Sequence, residues 1–139
     1  AIERIQKGQK TLIYELAEKD INRVNASLVC KAAVQGDGVA NEIITQTADY
    51  LAIGIINLIL ILNPQIIVLG GDICKLPNLE ELFIQPIVKH AERIVPFQMP
   101  KIEKSSLGED AGILGASYLA IESLLVSYFP YKLSQDFFE

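Results

Sequence analysis

Residues Ile66-Ile67-Val68-Leu69 place four apolar side chains in a row without alternation and run into Gly70-Gly71-Asp72. A strand of this kind fits where both of its faces are covered, as in the interior of an α/β sheet. The chain has only one further strand-like run, Lys101-Ile102-Glu103-Lys104-Ser105. Two short strands cannot close a sheet by themselves. Either they complete a sheet with strands supplied from elsewhere, or the chain is mostly helical with a small ribbon. The order of elements is helix, helix, long helix, strand, helix pair, strand, helix, which points to half of an α/β protein.

The helices are set by spacing and punctuation. Residues 1–18 read as helical around a break at Gly8, and Leu28 to Val34 as a short helix stopped by Gly36. Asp37 stands where an N-cap belongs, with a carboxylate able to accept from exposed backbone N–H groups. A long helix then runs to about Leu62. Val39, Ile43, Ile44, Thr47, Leu51, Ile55, Leu58 and Leu62 follow the spacing of one buried face. Its second half is apolar nearly all round, which predicts cover on several sides, and Asn63-Pro64 ends it. Asn57 lies in that apolar half, so burial would oblige its amide to find partners at a stake of about 1–3 kcal/mol. Leu76 to Val95 is helical in pattern, with Pro86 predicting a break into pieces near 78–84 and 86–94. Pro96 and Pro100 bracket an extended linker. Leu107-Gly108-Glu109-Asp110 reads as a solvated turn, with Asp110 a candidate N-cap for a last helix, Ala111 to Tyr128. Small residues at its start, Gly112 and Gly115 among them, suit close approach to another backbone. The aromatic residues Tyr128, Phe129, Tyr131, Phe137 and Phe138 must dock or be sticky.

Charge and cysteine usage narrow the function classes. Twelve Lys and Arg stand against seventeen Asp and Glu, for a formal net charge of -5. Nucleic-acid binding draws on counterion release at a basic face. The sparse pair Arg23 and Lys31, with acids close by, does not supply one. Any contact with DNA falls to residues outside this sequence. Cys30 and Cys74 are far apart, and with a single histidine, His90, they make no plausible zinc set. Both read as buried thiols in a reducing cytoplasm. His90 reads as a surface or half-buried helix residue rather than a catalytic base, and Glu80-Glu81 as acids that suit a helix start. The longest apolar stretch, Leu51 to Leu62, contains Gly54 and Asn57 and spans 12 residues, fewer than the 18 or so a bilayer span needs, so a buried helix is expected and no membrane partner. No signal peptide is expected at the start. The sequence opens with Ala1 and has one methionine, Met99, which reads as a processed product or a piece of a longer protein.

Two stretches together carry a family resemblance. ADYLAIGIINLILILNPQIIVLGGD (residues 48–72) and SSLGEDAGILGASYLA (105–120), in this order and separation, resemble the C-terminal region of the ROK family of bacterial repressors and sugar kinases. Gly36-Asp37, ahead of the long helix, fits the same pattern. The resemblance implies an α/β fold, a partial actin-like ATPase (ribonuclease H-like) lobe that is helix-rich with a few strands. On this reading residues 1–139 are the C-terminal portion of a ROK domain, with the N-terminal lobe and any DNA-binding domain absent.

The same resemblance places the adenosine side of a nucleotide near the strand-ending glycines. Gly70 and Gly71 are therefore the candidate nucleotide contacts, against the plainer reading of a tight strand-to-loop turn. A Gly-Gly at the carboxyl end of a strand lets a ligand approach bare backbone. No catalytic residue and no metal ligand is assigned to this sequence. The family's DxGxT phosphate motif, its acidic base and its CxCGxxGC zinc segment do not occur in it, so no cofactor is expected here. ATP and magnesium are implied only for a kinase, and a zinc site would lie upstream. NRVNASLVCKAAVQGD and SSLGEDAGILGASYLAIESLL look more like repressor members than compact kinases. The expectation is a sugar-sensing region of a transcriptional regulator, inactive alone, binding a sugar effector in the complete protein and DNA through an absent domain. The alternatives are the C-terminal half of an ATP-dependent sugar kinase, or a helical dimerisation module. Exposed apolar faces predict self-association as a homo-oligomer, and a strict monomer at high concentration counts against that.

Overall fold

A computed structural model of the chain describes residues 1–128, and Phe129, Tyr131, Phe137 and Phe138 lie outside the described residues. The chain forms two compact units, the first Ala1–Ser105 and the second beginning at Ser106.

The first unit is built around one helix. α1 (Ile2–Gln6) and α2 (Leu12–Leu16) flank Gly8, whose φ of 79° ends the first of them. α3 (Ala26–Val34) starts at Asn25, whose side chain accepts from the Leu28 N–H, and stops at Gly36 with φ 85°. α4 (Gly38–Leu62) follows from the N-cap Asp37 and ends in Asn63, which turns left-handed ahead of Pro64. The limits of α4 are those that Asp37 and Asn63-Pro64 predict, whereas α3 begins two residues before the expected Leu28, and residues 7–11 and 17–18 of the expected N-terminal helix are not helical.

The face that α4 buries differs from the expected one. Ala40, Ile44, Ala48, Ala52, Ile55, Ile56 and Ile59 are buried, whereas Thr47, Leu58 and Leu62 are exposed. The Thr47 hydroxyl donates instead to the Ile43 carbonyl one turn back. Large residues dominate the spacing, but α3 and α5 (Gln85–Ala91) pack on α4, and the face it buries includes Ala40, Ala48 and Ala52, small side chains of the kind that permit close approach. Nor is the C-terminal half covered on several sides: Ile53, Leu58, Leu60, Ile61 and Leu62 are exposed, Ile61 at 78%. Asn57 is exposed too, so its amide carries no desolvation cost. With its polar first half included, α4 is long and apolar enough to cross a bilayer by length and composition. A core helix passes the same test, and α4 supplies the central face of this core together with Ile13, Val29, Phe83 and Ile87.

β1 (Ile66–Leu69) and β2 (Lys101–Lys104) pair in parallel, Ile66 opposite Lys101 and Leu69 opposite Lys104. Burial of β1 on both faces is not found. Ile67 and Leu69 turn towards the core while Ile66 and Val68 are exposed, Val68 at 56%. A strand with one neighbour among the described residues, and with helices against one face, has nothing on the other to exclude water.

Pro86 does not break its helix. Glu80–Ile84 forms a π turn in which the Gln85 N–H reaches the Glu80 carbonyl, and α5 continues from it. The widened turn moves backbone out of the way of the proline ring, which would clash with the carbonyl four residues earlier in a regular helix. The expected two pieces exist as a change of hydrogen-bond pattern, joined without a gap. Asn78 supports the entry by donating to Glu81 at 3.1 Å.

Asp37 joins three elements. Its carboxylate accepts from the Ala40 N–H (2.7 Å), the Leu12 N–H (2.7 Å) and the Thr11 hydroxyl (2.9 Å). Thr11 in turn accepts from the Ile13 N–H at 3.2 Å. Two helix N-termini thus share one anion, which suits the partial positive charge at each. Partial burial pushes the Asp37 carboxyl up, but hydrogen bonds from Leu12, Ala40, Thr11 and Val39 outweigh it and hold the group below its ordinary value. A carboxyl depressed on folding adds stability that is complete above its unfolded pKa of about 4 and is lost as pH falls through the lower folded value. In urea titrations between pH 6 and pH 3, the stability gap between the native chain and Asp37→Asn should therefore narrow only below about pH 4.

In the second unit a short turn, Gly108–Asp110, leads into α6 (Ala111–Tyr128). Asp110 is exposed. Among the described residues, nothing beyond chain neighbours and the helix's own backbone lies within 4 Å of where a Cβ would project from Gly112 or Gly115, and Ile113, Tyr118, Leu119 and Ile121 are exposed.

Candidate functional site

The first unit offers two places with chemical character, at opposite ends of the parallel pair. At the carboxyl end of β1 lie Gly70 and Gly71, both exposed. The Leu69 carbonyl accepts from the Ser105 N–H at 2.8 Å and from the Cys74 thiol at 3.0 Å, which fixes the exit of the strand to β2 on one side and to the following turn on the other. Gly71 has φ 78° and opens a 3₁₀ turn through Lys75, within which Lys75 pairs with Asp72 at 3.1 Å. Backbone N–H groups in such a turn, beside the end of a parallel strand, are the parts from which open α/β sheets build ligand sites.

The two glycines differ in what they require. At Gly71 the left-handed backbone alone favours glycine. At Gly70 the backbone is extended (φ -128°, ψ 173°), open to any residue, and nothing lies within 4 Å of where a Cβ would stand. Gly71→Ala should therefore cost about 1–2 kcal/mol in urea denaturation, while Gly70→Ala leaves the midpoint close to that of the native chain.

The other sequence candidates do not converge on this loop. His90, half-buried on α5, has Nδ1 3.6 Å from Asp49 Oδ1 on α4. Cys30 and Cys74 are buried free thiols, as expected, and burial pushes the Cys30 thiol up, opposed by a backbone hydrogen bond. Such a thiol is a packing group rather than a nucleophile. Arg23 pairs with Glu18. Glu80 and Glu81 open the π turn. Among the described residues, no three His, Cys, Asp or Glu side chains stand together as a metal set.

A cleft of about 520 Å³ lies at the amino ends of the strands, lined by Asn63, Pro64, Gln65, Phe97, Gln98, Met99 and Pro100. Sequence reasoning missed it, because prolines and amides between elements read only as a stop signal and a linker. The cleft sits at the amino ends of the strands, whereas open α/β sheets generally bind ligands at the carboxyl ends, where Gly70 and Gly71 lie.

Comparison with known proteins bears on the family and the fold. The ROK family model matches residues 6–123. A glucokinase of Thermotoga maritima is 33% identical over 128 residues, covering 88% of this chain and 38% of that protein. A xylose repressor of Caldicellulosiruptor bescii is 28% identical over 110 residues, covering 77% and 27%. An N-acetyl-D-glucosamine kinase of Photobacterium profundum is 31% identical over 94 residues, covering 68% and 30%. The chain thus spans between 27% and 38% of the length of these relatives. Among solved structures, a ROK family glucokinase from Streptomyces griseus in complex with glucose and AMPPNP superposes with a TM-score of 0.67 at 24% identity, over 79% of this chain and 36% of that one. The shared fold makes this an α/β chain forming part of an actin-like ATPase lobe, helix-rich with few strands. The chain belongs to the ROK family.

Proposed function

We propose that this chain is the sugar-responsive C-terminal region of a ROK-type transcriptional regulator. The observation that carries a ligand-binding role is the Gly70–Gly71 turn, exposed at the carboxyl end of a parallel strand. Gly70 and Gly71 are the proposed backbone contacts for a nucleotide. Residues 22–37 and 105–125, which look similar to repressor sequences, favour the regulator branch, as do the matches to a xylose repressor at 28% identity and to a protein described as a putative xylose repressor at 32%. On this reading a sugar bound by the complete protein shifts a cytoplasmic homo-oligomer between DNA-binding and released states. The shift equals the sugar's difference in affinity for the two. DNA is contacted by residues outside this chain, and α4 acts as a core helix rather than a membrane span.

A kinase reading is favoured by several comparisons, among them the 33% identity to a glucokinase over 88% of the chain and the 31% identity to an N-acetyl-D-glucosamine kinase over 68%. It would bring ATP and magnesium, with zinc held outside this sequence. The two separate in one experiment on the complete native polypeptide. Sugar-dependent release from operator DNA, without ADP formation in the presence of magnesium, ATP and glucose, supports the regulator. ADP formation at an enzymatic rate without DNA binding overturns it. For the 139-residue chain alone the expected result is no ATP turnover, because phosphoryl transfer rests on positioning and charge stabilisation by groups that this sequence does not carry.

A further inference from the structure

We infer that the cleft at the amino ends of β1 and β2 is a second binding site, taking a neutral carbohydrate ring. This goes beyond the regulator reading and does not depend on it.

The lining decides the ligand class. Asn63, Gln65 and Gln98 bring three carboxamides to one cleft, each with donors and an acceptor. Among the described residues none of the three side chains has a hydrogen-bond partner, although the backbone at Asn63 and Gln65 is engaged: the Asn63 N–H donates to the Ile59 carbonyl, and the Lys101 N–H donates to the Gln65 carbonyl at 3.1 Å. The backbones of Asn63 and Gln65 are therefore held while the three amides remain available. Phe97, 39% exposed, and Met99 offer an apolar face beside them, with Pro64 and Pro100 stiffening both walls. A ring with hydroxyls around its edge and C–H groups on its face matches both halves of that lining.

Charge excludes the commoner ligands of a nucleotide-binding fold. No lining residue is charged, and the nearest cation in sequence, Lys101, is paired with Glu103. A phosphate or carboxylate brought here would lose water without gaining a counter-charge. The volume, about 520 Å³, suits one or two sugar rings and lies within the usual range for small-molecule pockets. The cleft opens at the end of the strands opposite Gly70 and Gly71, so the two sites can fill independently.

Met99 is the only methionine in this sequence, and it lies in the wall. Its ¹³C-labelled methyl, assigned in the complete native polypeptide by loss of the signal in Met99→Leu, reports on the cleft. The probes are D-glucose and D-glucose 6-phosphate. We expect D-glucose to shift the Met99 methyl with saturation, at a dissociation constant on the order of millimolar for a ligand of this size. The phosphate ester should leave it in place. Phe97→Ala and Gln98→Ala, both at exposed positions, should each weaken the response about tenfold while the protein's melting temperature holds. Three results overturn the inference: a methyl that does not respond to 100 mM probe (an order-of-magnitude ceiling set well above the expected constant), an equal response to the phosphate ester, or a response that survives both substitutions. A methyl already shielded by other residues of the same polypeptide, and silent to sugar, is the first of these.

Discussion

Asp37→Ala should lower the stability of the chain by about 2–3 kcal/mol, a large effect for a residue that is only partly buried. The substitution removes more than one cap. The carboxylate that accepts from Ala40 at the start of α4 also accepts from Leu12 and Thr11 at the start of α2. Thr11 is itself buried, so its hydroxyl would be left with one bond instead of two. Asp37→Asn keeps the acceptor oxygen but loses the charge shared between two helix N-termini, and should fall between Ala and native. Equilibrium urea denaturation at pH 7 orders the three proteins. A loss below about 0.5 kcal/mol for Asp37→Ala would mean that the α2–α4 connection contributes nothing beyond an exposed surface contact.

Ile59→Ala is the second substitution with a large expected effect, about 2–5 kcal/mol. Ile59 is fully buried on the face of α4 that meets the rest of the core, and truncation removes both its transfer free energy and its packing partners. Ile61, two positions along the same helix, is 78% exposed, and Ile61→Ala should shift the midpoint by no more than about 0.5 kcal/mol in the 139-residue chain. The pair tests the orientation of α4 directly. Equal losses at both positions would place the helix in a different rotation, with Ile61 against the core.

That orientation was the part of the fold least legible in the sequence. Element limits were readable because single residues enforce them: Asp37 begins α4, Asn63-Pro64 ends it, and Gly8 and Gly36 interrupt where positive φ is needed. The buried face was harder to read. Large apolar residues cover α4 on almost every side, so periodicity points several ways, and the deciding residues were the small ones, Ala40, Ala48 and Ala52. The expectation that Ile66 and Val68 are buried failed for a related reason. A sequence records what a strand is suited to contact, whereas exposure depends on which neighbours are present.

At the candidate site, the glycine pair was visible as a pattern and Gly71 has the backbone conformation that demands it. The double acceptor role of the Leu69 carbonyl was not visible, since Ser105 and Cys74 reach it from opposite directions in the chain. Nor could the amide-lined cleft be foreseen. Residues 63–65 and 97–100 are separated by α5 and the π turn, and only the parallel register of β1 with β2 brings them together.

The parallel register also orders events in time. Ile66 finds its partner in Lys101, beyond the whole of the π turn and α5, whereas α2, α3 and α4 touch along a short stretch of sequence. At translation rates of roughly 5–20 residues per second, β1 is made seconds before β2. During that interval the helical core can already form from local contacts, but Ile66 and Val68 sit on a strand that lacks its β2 partner. The nascent chain is most exposed to wrong partners on that edge when β1 has cleared the ribosome and β2 has not, and a pause in synthesis at that stage would lengthen the exposure more than a pause within α4.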